Sequence, residues 1–270
     1  MNYEHFDVEI RDGSATVRQI GPGASTLAEL ADEFLDLMLR LQEDGAVRAI
    51  LVTDGDNAFE LPDPLHGLAE ERGSGEADRL LTADLEVIRR IVTVIQETGK
   101  PVVAATRGAV RNAGFGFYMA ADVRLASTTA TFAATDLAAG LLPDWGLTFS
   151  LTRLIGPGRT LDMLWSRREI SGADAGRLGL VDRVIDDDVW EIELGAYLER
   201  LAGLPQPAVR LSKLATQQAG QFDLTSMLSY EFEAQQQCWE SRETAEGLAA
   251  WQEGRTPAFK PRTTDEDDED

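Results

Sequence analysis

The sequence predicts an α/β fold, and three observations carry that reading. Short apolar runs at Ala49 to Thr53, Val102 to Ala105 and Val123 to Ala126 have the length and composition of buried strands. Between them lie longer stretches whose apolar residues recur at helical spacing. Strands that alternate with helices imply βαβ crossovers, and 270 residues suffice for one sizeable core with a helical appendage.

Each element follows from local chemistry. Phe6, Val8 and Ile10 alternate, Asp12-Gly13 supplies a turn, and Ala15 and Val17 resume the alternation, so the chain opens with a β-hairpin. From Leu27 the positions Leu30, Ala31, Phe34, Leu37, Met38 and Leu41 form one helical face, with Ser25 or Thr26 as cap. After the strand Ala49 to Thr53 comes a loop rich in turn formers, Asp54 to Pro64, and an amphipathic helix over Ala77 to Thr98. Pro101 then opens the stretch Lys100 to Asp122, which runs from a strand through a loop with Gly108 and Gly114 into a helix of small residues.

Strands follow at Val123 to Ala126 and Thr131 to Ala133, then the loop Thr135 to Trp145. Helices are expected at Leu147 to Leu154, Arg159 to Trp165 and Gly172 to Arg177, the last capped by Ser171 with Asp174 in its first turn. Val181 to Val184 reads as a final strand, and Val189 to Glu253 as three or four helices with a hinge at Pro205 and Pro207.

Composition excludes several function classes. A formal charge of −22 opposes a nucleic-acid partner, because phosphates would meet a repulsive surface field. No run approaches the ~20 apolar residues of a membrane span, and no secretory leader is visible. Cys238 is the single cysteine, which fits a reducing, cytoplasmic setting. His5 and His66 lack metal-ligand spacing, so no metal is expected. The run Asp265 to Asp270 is wholly acidic and reads as a disordered tail.

The stretch Lys100 to Asp122 is where chemistry is expected. A glycine-containing turn that feeds a helix N-terminus leaves N–H groups without intrahelical partners, aimed with the helix dipole at one point. Such a turn favours a phosphate, a carboxylate or an enolate oxygen. Asp136 and Asp144, eight positions apart on the following loop, are candidate acid–base groups. The alternative for Asp144 is to cap the next helix.

That stretch, read with Phe132-x-x-x-Asp136, Gly140-Leu-Leu-Pro143, Leu151-Thr-Arg-Leu-Ile-Gly156, Ser171-x-x-Asp174-Ala-x-x-x-Gly179-Leu-Val181 and Glu243-x-x-Glu246-Gly-Leu-Ala-Ala-Trp251, resembles the crotonase superfamily of enoyl-CoA hydratases and isomerases. The resemblance spans roughly Ala46 to Lys260. It implies a crotonase-like spiral of ββα units over residues 1–200, a helical trimerisation region over 201–258 and an acidic tail over 259–270. It also implies homotrimers or dimers of trimers, and a substrate carbonyl, usually of a coenzyme A thioester, polarised by two backbone N–H groups. Those donors would belong to Asp63 and Ala113, with Gly114, Glu60, His66 and Trp145 at the substrate and Lys213 and Lys260 near the coenzyme A phosphates. No permanently bound cofactor is implied.

Members that hydrate carry one glutamate on the helix after the oxyanion loop and another on the later loop. The matching positions here are Gly116 and Asp136, while Asp144 matches the proton-shuttling aspartate of some isomerases. Isomerisation or hydration of an enoyl thioester is therefore expected, with Asp144 as base and Asp136 assisting. A coenzyme A-independent hydrolase or lyase for a β-dicarbonyl compound, suggested by the unusual Phe59-Glu60-Leu61-Pro62-Asp63-Pro64 loop, and a catalytically silent member stay open.

Overall fold

A computed structural model describes residues 3–20, 26–54, 58–59, 61–62 and 75–259. Strands β1 (Phe6–Arg11) and β2 (Ser14–Gln19) form the expected hairpin, with Asp12 and Gly13 at positive φ (50° and 79°) in the turn. Helix α1 (Leu27–Glu43) starts from Thr26, whose hydroxyl accepts from the Glu29 N–H. The remaining elements are β3 (Ala49–Thr53), β4 (Ala58–Phe59), α2 (Gly75–Glu97), β5 (Val102–Thr106), β6 (Ala109–Arg111), α3 (Asn112–Met119), β7 (Val123–Ser127) and β8 (Thr131–Ala133). After them come α4 (Leu147–Ile155), α5 (Pro157–Ser166), β9 (Ile170–Ser171), α6 (Gly172–Leu178), β10 (Arg183–Ile185), α7 (Trp190–Ala202), α8 (Gln206–Gln218), α9 (Leu224–Trp239) and α10 (Arg242–Glu253).

Two sheets organise the core. The larger has the order β1-β2-β3-β5-β7-β10 and is parallel from β2 onward, while the smaller has the order β4-β6-β8-β9. Strands β3 and β5 are buried along their whole length, as a parallel sheet covered on both faces demands. One face packs against α1, α2 and α3. The other carries Leu51, Val103 and Leu125, which meet Trp190, Leu194 and Leu198 of α7.

The smaller sheet departs from the expected element list. β4, β6 and β9 hold only two or three residues each, too short for a hydropathy pattern to register. The last strand begins at Arg183 instead of Val181, because the Leu180 and Val181 amides bond back to the Ala175 carbonyl in the turn that closes α6. Pro205 stands at the N-cap of α8 with Pro207 in its first turn, where a missing N–H costs nothing. Helix α7 runs to Ala202, two residues past the expected end of the core, and packs on the sheet.

Buried polar groups tie the layers. The Lys213 ammonium reaches Asp122 Oδ2 at 2.8 Å and the carbonyls of Ile95 and Lys100 at 2.8 and 3.2 Å, joining α8 to the start of β5. Arg48 donates to the carbonyls of Ala202 and Leu204 at the C-terminus of α7. Lys100 donates to the carbonyls of Leu41 and Asp44 at the end of α1.

Candidate active site

β4 and β8 each pair in parallel with β6, so all three strands deliver their C-terminal ends to one edge of the small sheet. The chain beyond Phe59 leaves β4 there, α3 leaves β6 there, and the segment leading to Asp136 leaves β8 there. Among the described residues, the turn from β6 into α3 and the loop after β8 are thereby set beside the end of β4.

The first component is the N-terminus of α3. Asn112 takes φ 45°, a left-handed conformation that asparagine tolerates better than most residues, and turns the chain from strand into helix. Ala113 is the second residue of that helix, where backbone N–H groups have no intrahelical acceptor and the dipole is positive. Gly114 is forced by contact: a Cβ there would lie 2.1 Å from the Phe59 carbonyl oxygen. Helix α3 therefore sits directly on the end of β4.

The second component is the loop after β8. Asp136 opens a 3-10 turn (Asp136–Ala139), and its Oδ2 is screened from solvent. Asn112 Oδ1 accepts from both the N–H and the hydroxyl of Thr135, at 2.9 Å each, so the helix that supplies the N–H groups is tied to the residue before Asp136. Sequence reasoning missed Asn112. Its only signal was an asparagine between a strand and a glycine-containing helix. Asp144 is half-buried, and its backbone carbonyl accepts from the Leu147 N–H at 2.9 Å. The N-cap of α4 is Gly146, at φ 69°.

Trp145 joins the two components. It is 4% exposed and holds φ 56°, a costly conformation for a bulky residue that concentrates at functional sites. A Cβ added to Gly116 would lie 2.1 Å from Trp145 Cβ, so the tryptophan fills the space where a side chain from α3 would otherwise stand. Its ring meets Phe117 edge to face at 5.8 Å, and Phe117 in turn packs on Phe34 and Phe59. The indole Nε1 is buried and has no hydrogen-bond partner among the described residues. Beside the loop, a cleft of about 240 Å³ is lined by Leu137, Leu142, Thr152, Leu161, Leu164 and Trp165. Phe115 is core, packed on Phe132, whereas Trp165 is exposed at the cleft.

The structure thus brings Ala113, Gly114, Asp136 and Trp145 to one edge, with Asp144 next to Trp145 in the chain. Glu60, Asp63, His66 and Lys260 lie outside the described residues. Lys213 does not join the group. Its three N–H donors are met inside the fold by Asp122, Ile95 and Lys100, which gives it a structural role in place of the expected phosphate contact. Among the described residues no helix is long and apolar enough to cross a membrane.

Comparison with known proteins agrees with this arrangement. The chain is 29% identical to a crotonyl-CoA hydratase of Syntrophomonas wolfei over 84% of its own length and 86% of the relative's. It is 28% identical to a 4-chlorobenzoyl coenzyme A dehalogenase-2 of an Arthrobacter species, over 84% and 83% of the two chains. A crystal structure of an enoyl-CoA hydratase from Bacillus anthracis superposes with a TM-score of 0.85 at 26% identity, covering 96% of this chain and 100% of that one. The family profile described as enoyl-CoA hydratase/isomerase matches residues 23–262, nearly the whole protein. The chain belongs to the enoyl-CoA hydratase/isomerase family, the crotonase superfamily, as a divergent member.

Proposed function

We propose that this protein shifts the double bond of an enoyl thioester through an enolate, with Asp144 as the group that moves the proton. The observation that carries the choice of isomerisation is the contact between Gly116 and Trp145. Helix α3 offers no carboxylate there, and the indole occupies the space one would need. Among the described residues, the carboxylates left at this edge, Asp136 and Asp144, share one loop. Isomerisation asks for a single shuttle, whereas addition of water asks for one group to take a proton from water and a source of a second proton for the α-carbon.

In the proposed reaction the Asp144 carboxylate takes a proton from the acyl carbon next to the conjugated system. The electron pair of that C–H bond moves into the thioester carbonyl, whose oxygen becomes negative. The Ala113 N–H at the head of α3, with a second N–H from Asp63, holds that oxygen. One such donor is typically worth ~2.7–4 kcal/mol. The same proton then returns to the other end of the system, and the double bond has moved. Asp136 orients or assists, and Gly114 and Trp145 shape the acyl site. The apolar cleft beside Leu137 and Leu142 suits an acyl chain. Coenzyme A is the proposed carrier, with Glu60, His66 and Lys260 as candidate contacts, and the active form is a homotrimer or a dimer of trimers. Hydration is the second reading, favoured by the relatives whose names describe hydratases.

Asp144→Asn tests the base. Loss of a general base lowers turnover by about 10²–10⁴, so kcat/KM on an active enoyl thioester is expected to fall within that range while circular dichroism is unchanged. Deuterium exchange at the α- or γ-carbon that survives the substitution would overturn the assignment. Incorporation of solvent oxygen into the product would select hydration.

A further inference from the structure

Just before β1 stands a buried histidine. His5 is 7% exposed, and among the described residues neither Nδ1 nor Nε2 has a hydrogen-bond partner. Its Nδ1 stands 3.5 Å from Oε2 of Glu33 on α1, and one ligand-type atom from each of Glu4, His5 and Glu33 lies within 4.8 Å of the others. We propose that Glu4, His5 and Glu33 bind a divalent transition-metal ion of the zinc type, which would lock the hairpin onto α1.

Geometry and charge both support the site. Two ligands that share an ion at the usual bond lengths of about 2.0–2.1 Å in a tetrahedral arrangement are roughly 3.4 Å apart, and the His5–Glu33 separation of 3.5 Å matches. The third ligand needs only a side-chain adjustment, since Glu4 is exposed. Two carboxylates bring two negative charges, which one divalent ion offsets. A buried imidazole left without a partner is destabilising, and a metal on its lone pair removes part of that cost. One nitrogen with two oxygens suits zinc, cobalt or nickel better than calcium or magnesium, which prefer oxygen alone.

The ligands are also held in place. The Glu33 carboxylate accepts from the Glu4 N–H at 2.9 and 3.1 Å and from the His5 N–H at 2.9 Å. A carboxylate has about four acceptor positions; three are taken here, two of them on Oε2, so the open position is on Oε1, and an ion that uses Oε2 displaces the longer of its two bonds, the one from the Glu4 N–H. The His5 carbonyl accepts from the Ile20 N–H at 3.0 Å, and the Tyr3 hydroxyl donates to Asp36 Oδ2 at 2.8 Å one turn further along α1. His5 and Glu33 stand 28 positions apart, which hides the site from any spacing rule.

The competing account is a simple His–Glu ion pair, and metal titration separates the two. The full chain, stripped with chelator, is titrated with Zn²⁺ by calorimetry and with Co²⁺ by visible absorption. One site is expected that binds at least tenfold tighter than the remaining acidic surface, is lost in His5→Ala and is not displaced by excess Ca²⁺. Equal uptake by wild type and His5→Ala, or ready displacement by Ca²⁺, would overturn it. Should His5→Ala fail to fold, nuclear magnetic resonance of the wild type decides. The protein has only two histidines, and substoichiometric Co²⁺ must shift the His5 ring signals first. Unmoved His5 signals at one equivalent would end the proposal.

Discussion

Residues that carry no reactive group decide how the reactive ones meet. Gly114 shows this most directly, since a Cβ there would lie 2.1 Å from the Phe59 carbonyl oxygen. Gly114→Ala forces either the helix or β4 to move. Overpacking of this kind typically costs about 1–3 kcal/mol, read as a lower denaturant midpoint, and displacement of the Ala113 N–H should cut turnover in the same variant. Gly195→Ala is the control: it lies inside α7 with nothing within 4 Å of the added carbon. It should stabilise the protein by about 0.5–1 kcal/mol and leave turnover alone. A Gly114→Ala protein with wild-type stability and activity would show that the contact is soft. Gly116 and Trp145 are the matching case on the opposite side of α3. There a bulky residue accepts a left-handed backbone so that its ring can press on a bare helix.

At the scale of elements, ends matter more than middles. Lys100 places its ammonium on the last carbonyls of α1, and burial pulls its pKa from the usual 10.5 down to about 8. The sign follows from linkage. A lysine whose folded pKa lies below its unfolded value binds more protons in the unfolded chain across that interval, so its presence makes stability rise with pH from about 8 to 10.5. General repulsion in a chain of charge −22 runs the other way, and only a comparison isolates the lysine. Wild type should therefore gain stability relative to Lys100→Met between pH 8 and 10.5 in denaturant titrations. Parallel slopes would refute the assignment. The long elements were legible in the sequence because their signals are periodic: the Phe34 face of α1, the all-apolar β3 and β5, the Ser171 cap of α6. Of the small sheet only β8 was, since strands of two or three residues such as β4 are made by tertiary pairing with β6 and leave no local trace. Of the candidate site, the glycine-containing turn and the Asp136–Asp144 loop were read from the residues, and Ala113 and Trp145 were named through the resemblance. The role of Asn112 and the contact of Trp145 with Gly116 rest on φ angles and contacts that a linear pattern does not encode.

For the whole molecule the unanswered surface is on the C-terminal helices. Helix α9 has no buried residue along its 16 positions, although Leu224, Leu228, Phe232 and Trp239 are 75%, 57%, 65% and 68% exposed. At 100° per residue these four fall within about 80° of arc, a single apolar stripe. Trp251 on α10 adds a further exposed ring at 80%. A helix of this length gains little from propensity alone and is held by what its apolar face covers. Exposed apolar surface on that scale marks an interface, and the proposed trimer supplies one: further copies of the same chain. Phe232→Asp places a charge in the middle of the stripe without touching any buried side chain. The expected outcome is a shift from trimer or hexamer to monomer by light scattering at micromolar concentration, with a lower melting temperature that no longer depends on protein concentration. Retention of the assembled mass in Phe232→Asp would place the contact elsewhere, and a wild type that is monomeric at every concentration would remove the proposal. Activity measured on the monomeric variant then asks whether the edge formed by Ala113, Asp136 and Trp145 is complete within one copy.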